Sequence, residues 1–161
     1  MLSRLVSPFL IALALITAML NFSCSRNTID PGKVSYTKET ITYKTVQGVD
    51  PNLLSLDVYH FGQSSMPKPV VIYVHGGGFA IGDKANSIQN KTSLFSSLGY
   101  IFVSINYRLS PEKPSNDPNR IMYPTHHNDV ADAVQWVYAN IAKYGGNPAK
   151  IALLGHSAGA Q

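Results

Sequence analysis

Two short stretches hold residues whose types and spacing could do chemistry. Gly155-His156-Ser157-Ala158-Gly159 sets a serine between two glycines and closes the apolar run Ile151-Ala152-Leu153-Leu154. Upstream, His75-Gly76-Gly77-Gly78 closes the apolar run Val70-Val71-Ile72-Tyr73-Val74. A strand that breaks sharply into a helix holds the residue at the bend in a strained backbone region and evicts its side chain from the sheet. Gly155 and Gly159 lack the Cβ atoms that would collide across such a bend, and Ala158 is nearly as small. Ser157 then becomes a nucleophile presented to a cleft. Glycines after the other strand bring backbone N–H groups, fixed and dry, close to a substrate, where they can receive a developing negative charge. Gly77 and Gly78, with Ala158 after the serine, are the candidate donors, and Gly76 belongs to the same loop.

The elements that must position these residues follow from periodicity. Neither apolar run alternates, so both read as buried strands. Thr40 to Val46 and Leu54 to Tyr59 alternate at period two around Asp50-Pro51-Asn52, which predicts an antiparallel pair at a sheet edge. His60, ending that pair, reads as a surface histidine. Asn86 to Leu98 is expected to be a helix with Ile88, Leu94, Phe95 and Leu98 on one face and Gly99 as its stop. Tyr100 to Tyr107 is another buried strand. Val130, Ala133, Val134, Val137 and Ile141 mark one face of a second helix, ended by Gly145-Gly146, with Trp136 assigned to packing. Asn147-Pro148 turns the chain into the Ser157 strand. Strands alternating with helices predict an α/β fold, a mostly parallel sheet flanked by helices.

Two loop features invite functional readings. Pro111 to Pro124, rich in proline and asparagine, is expected to line the mouth of the cleft. His126 and His127 stand beside Asn128 and Asp129, but neighbouring residues on a helix point about 100° apart, which makes a poor bidentate metal site.

Composition bounds the rest. The chain has 161 residues, 45% hydrophobic and 14% charged, which fits one globular domain at most. The net charge of +4 comes from scattered residues, with no Lys/Arg cluster to follow a phosphate backbone, so nucleic acid is not an expected partner. Residues 1–23 read as an export signal: Arg4 precedes the apolar stretch Leu10 to Leu20, short against the ~20 residues of a membrane span. Cys24, the only cysteine, stands where a bacterial lipoprotein signal places its lipidated residue; an ordinary cleaved signal and a retained anchor are the other readings. A lone cysteine excludes an intrachain disulfide. The expected organisation is a signal over 1–23, a tether over 24–33 around Pro31-Gly32, and a folded part over 34–161. The expected location is the periplasm or cell envelope, with attachment to the membrane through the N-terminus where Cys24 carries lipid.

The two glycine motifs, in this order and each after a strand, resemble the α/β-hydrolases, close to the carboxylesterases of the hormone-sensitive-lipase type. The resemblance covers Val34 to Gln161. It implies an incomplete α/β-hydrolase fold behind the signal segment, and two-step acyl transfer from a small ester through Ser157 without metal or cofactor. It implies that His75 braces the loop rather than moving protons, that His156 points away from the serine, and that Tyr107 to Glu112 serve packing and loop anchoring. The family order of serine, then acid, then histidine puts the other two triad members after Gln161, so these 161 residues are expected to be an inactive fragment of an esterase. An aryl-formamidase-like amidase, which shares the Gly155 to Ala160 pattern, and an inactive envelope-anchored binding domain are the alternatives.

Overall fold

The computed structural model describes residues 35–62 and 64–161; the expected signal, the tether and Cys24 lie outside them. Five strands form one sheet: β1 (Thr37–Thr42), β2 (Ser55–His60), β3 (Lys68–Val74), β4 (Ile101–Ile105) and β5 (Gly146–Gly155), in the order β1-β2-β4-β3-β5. Helices α1 (Gln89–Ser97) and α2 (Thr125–Asn140) precede β4 and β5, and short 3₁₀ turns cover Pro51–Leu54, Ile141–Tyr144 and Ser157–Ala160. β3 pairs in parallel with β4 and with β5, whereas β1–β2 and β2–β4 are antiparallel. The sheet is therefore mixed, not mostly parallel, because β2 returns between β1 and β4.

Side-chain alternation sorts the strands onto two packed faces. Leu56, Val58, Val70, Ile72, Val74, Ile101, Val103 and Ile105 cluster with Ala133, Val137 and Ile141 at the α2 side. Tyr59, Val71, Tyr73 and Phe102 form the opposite cluster, against which Ile88 and Phe95 of the α1 region pack. Helices thus cover both faces, and β3 and β4 are buried along almost their whole length. Runs without alternation are what a strand covered on both sides requires.

Several expectations are corrected. The first strand is Thr37–Thr42, not Thr40 to Val46; Tyr43 leaves the ladder, and its hydroxyl donates to the Asn106 carbonyl at 2.8 Å. His60 is buried, not on the surface: its Nε2 meets the Glu39 carboxylate at 3.1 Å and its ring packs edge-on to Tyr144. On α1 and at its C-cap, Leu94 and Leu98 are exposed, while Thr92 and Ser96 are buried. Thr92 can face inward because its hydroxyl donates to the Ile88 and Gln89 carbonyls within its own helix. The run before Ser157 is not buried on both faces: among the described residues β5 pairs with β3 alone, leaving Leu153 58% and Leu154 39% exposed.

Candidate active site

The loop after β3 and the bend after β5 meet because the strands are parallel neighbours, with Val74 opposite Gly155. The His156 N–H then donates to the Val74 carbonyl at 3.1 Å, carrying the pairing one residue past the strand. His156 is still extended at φ −118°, and Ser157 turns to φ +52°. That left-handed value is uncommon for a residue with a side chain and marks a strained bend. It puts an exposed Ser157 at the start of a 3₁₀ turn closed by Gly159 N–H to His156 O at 2.9 Å. A Cβ on Gly159 would strike the Val74 and His75 carbonyls, and one on Gly155 would strike the Gly159 carbonyl.

The glycine loop lies directly against this bend. A Cβ on Gly76 would come 2.7 Å from the His156 carbonyl oxygen and 3.0 Å from the Cβ of Ser157. Gly77 at φ +124° and Gly78 at φ +61° then fold the loop back, so that the Ala80 and Ile81 N–H groups both donate to the Gly77 carbonyl. Among the described residues, the backbone N–H groups of Gly77, Gly78 and Ala158 donate to no protein acceptor. Gly76, Gly77, Gly78, Ile81, Asn86, Ser87, Lys91 and Ser157 line one cleft of about 590 Å³. No residue of the Pro111 to Pro124 connection lines it, which corrects the expectation that this loop borders the cleft mouth.

His75 is built into the floor of the loop. Its ring stacks on Tyr107 with centroids 4.5 Å apart, and Nδ1 contacts the Gly76 carbonyl at 2.8 Å. A carbonyl only accepts, so Nδ1 carries a proton, and Nε2 is buried without a hydrogen-bond partner among the described residues. Burial lowers the His75 pKa, partly offset by the bond to Gly76, and so favours the neutral ring, with Nε2 bare. The Tyr107 hydroxyl, its pKa pushed up to about 12 by burial, donates to the His75 carbonyl at 2.9 Å. Tyr107 therefore holds this histidine through both its ring and its backbone.

Two polar networks brace the surroundings. Asp129, fully buried, accepts from Arg108 Nε and a second guanidinium nitrogen at 2.7 Å each, from the Arg108 N–H at 3.2 Å and from Lys44 at 3.2 Å. Burial alone would raise the Asp129 carboxyl; the bonds from Arg108 and Lys44 together outweigh it and hold the pKa below the usual range. The two histidines beside it diverge: His126 is buried with Nε2 3.0 Å from the Ser110 hydroxyl, while His127 is exposed against Tyr123. Among the described residues no group of acidic, histidine or cysteine side chains could hold a metal ion, and no helix is long and apolar enough to cross a membrane.

The second network escaped the sequence reading. Asn106 accepts from the Lys84 N–H at 2.6 Å and donates to the Asp83 carboxylate at 2.8 Å and the Asn52 carbonyl at 3.0 Å. Ser104 donates to the Lys84 carbonyl, and the buried Lys84 ammonium reaches Asn52 at 2.8 Å and Asp57 at 3.7 Å. These bonds clamp the segment after the glycine loop to β2 and β4. In an alternating strand Asp57 reads as the solvent side, and only the arrival of Lys84 over that face reveals its role.

Among the described residues no side chain hydrogen-bonds to the Ser157 hydroxyl. The arrangement offers a strained, exposed nucleophile, unpaired N–H groups beside it, and a braced loop.

Known proteins resemble this chain in sequence and in fold. The BD-FAE family model matches residues 56–161. Esterase LipQ from Mycobacterium tuberculosis is 44% identical over 92 residues, covering 57% of this chain and 20% of that protein. Carboxylesterase NlhH from the same species is 39% identical over 93 residues, covering 56% and 26%. The native structure of the thermophilic esterase Est2 from Thermogutta terrifontis superposes with a TM-score of 0.57 at 26% identity, over 75% of this chain and 40% of that one. The chain thus spans about a quarter or less of these curated relatives and two fifths of the solved structure.

Proposed function

Because the chain belongs to the BD-FAE family of α/β-hydrolases, whose relatives are carboxylesterases, we propose that it supplies the nucleophile and the anion cradle of a serine carboxylic ester hydrolase. Ser157 attacks the ester carbonyl, the N–H groups of Gly77, Gly78 and Ala158 receive the oxyanion, and water releases the acid from the acyl-enzyme. The observation that carries this reading is that Gly76 lies so near the bend that a Cβ on it would come 3.0 Å from the Ser157 Cβ, which sets unpaired amides beside a serine held at φ +52°. A serine hydroxyl is a weak nucleophile until a base takes its proton. No described side chain bonds to it, and the family order of serine, then acid, then histidine assigns the acid and the base to residues that follow Ser157 in the whole protein. His75 is not that base: its bare ring nitrogen, Nε2, is buried and makes no hydrogen bond to the Ser157 hydroxyl.

Small esters such as acetyl or aryl esters are the proposed substrates, needing no metal or cofactor. The test is hydrolysis of p-nitrophenyl acetate and of a formanilide by the full-length protein carrying this sequence, together with labelling by a fluorophosphonate. Ester turnover and labelling that both vanish in Ser157→Ala are expected. Preference for the formanilide would assign an amidase, and an unlabelled serine would assign a binding domain.

A further inference from the structure

Among the described residues lining the Ser157 cleft, Lys91 is the one acidic or basic side chain other than histidine. Its ammonium donates to the Ser87 carbonyl at 2.9 Å and sits 4.8 Å from the centre of the Tyr73 ring. Both Ser87 and Tyr73 also line the cleft. An ammonium has three N–H donors, so the bond to Ser87 leaves two. No carboxylate forms a salt bridge with it among the described residues. Its place in α1 does not account for it either. Lys91 is the third residue of Gln89–Ser97, at the helix end where the backbone dipole disfavours a cation.

We infer that Lys91 is the anion-recognising residue of the cleft, selecting esters that carry a carboxylate elsewhere in the molecule. This rests on the esterase reading of Ser157. The aromatic ring and the Ser87 carbonyl hold the ammonium in one place, so less freedom is lost when a ligand arrives. A single cation with the Asn86 amide nearby suits one carboxylate; a phosphate group calls for more positive charge. The carboxylate belongs to either the acyl or the alcohol portion, and the experiment separates them.

In the full-length protein, kcat/KM is compared within two pairs: 4-acetoxybenzoate against phenyl acetate, and monophenyl glutarate against phenyl valerate. In Lys91→Met the charged-to-neutral ratio is expected to fall about 5–10-fold in one pair and to recover in Lys91→Arg, with the effect shrinking as salt rises. The pair that responds names the side of the ester. Ratios equal to wild type in both pairs overturn the inference. Absence of hydrolysis of every ester overturns the esterase reading instead, and binding then decides on Lys91. Amide NMR shifts at Ser87 and Lys91 on titration with 4-hydroxybenzoate or glutarate, lost in Lys91→Met, support it; no shifts in the unaltered protein overturn it.

Discussion

Gly76 and Ser157 touch: a methyl group on the glycine would stand 3.0 Å from the serine Cβ and 2.7 Å from the His156 carbonyl oxygen. Neither neighbour is the loose end of a flexible side chain, so the strain would pass to the bend itself. Gly76→Ala is expected to leave a folded protein and to lower ester turnover about 100-fold or more, since displacing reacting groups by an ångström costs that much. Circular dichroism with p-nitrophenyl acetate kinetics checks it. Turnover within threefold of wild type would mean that the loop and the bend move independently.

Asp129→Asn is expected to destabilise the protein by about 3 kcal/mol or more, because it leaves the Arg108 guanidinium without its buried partner. Chemical denaturation measures this. The same carboxylate sets an acid limb. Its pKa is lower in the folded chain than in the unfolded one, so the unfolded state takes up the proton first. The stabilisation is then complete above the ordinary value of about 4 and is lost as pH falls through the lower folded value. The asparagine variant should show a shallower fall in stability below pH 4.

Asn106→Ala removes the acceptor for the buried Lys84 N–H and the donor for Asp83 and the Asn52 carbonyl. An expected loss of about 1–3 kcal/mol follows from unsatisfied buried groups. Because the bonds tether the segment following the glycine loop, activity is expected to fall at temperatures where the fold is intact. Parallel melting and activity curves separate the two effects.

Export through residues 1–23 with lipid attachment at Cys24 is proposed from the sequence alone. Metabolic labelling with an alkyne palmitate analogue should mark the wild-type protein in the envelope fraction and leave Cys24→Ser unmarked. An unmarked wild-type protein with a trimmed N-terminus would assign ordinary signal cleavage.

Both glycine motifs were legible because each ends a run that cannot alternate: Val70 to Val74 must be covered on two faces, and a chain leaving such a strand must bend. The α2 face was legible for a similar reason, since Val130, Ala133, Val134, Val137 and Ile141 repeat at the helical period. Where a polar residue is buried the pattern failed. His60 reads as a surface histidine, and no apolar pattern marks Asp57, Thr92 or Ser96, yet all four are buried, His60, Asp57 and Thr92 on hydrogen-bond partners that come from other elements or from the residue's own helix.

The order of residue types along the chain determined that a serine would stand at one strand-to-helix bend and glycines at another, since local sterics act over a few residues. Only the tertiary structure decided that these bends adjoin, because adjacency depends on β5 pairing with β3 and not with another strand. It also decided the surroundings of Lys91 and Asp57, because a charge is read as solvated until distant segments fold over it. Sequence periodicity reports which face an element buries; which partner covers that face is settled by strand order and by long-range bonds that no local spacing encodes.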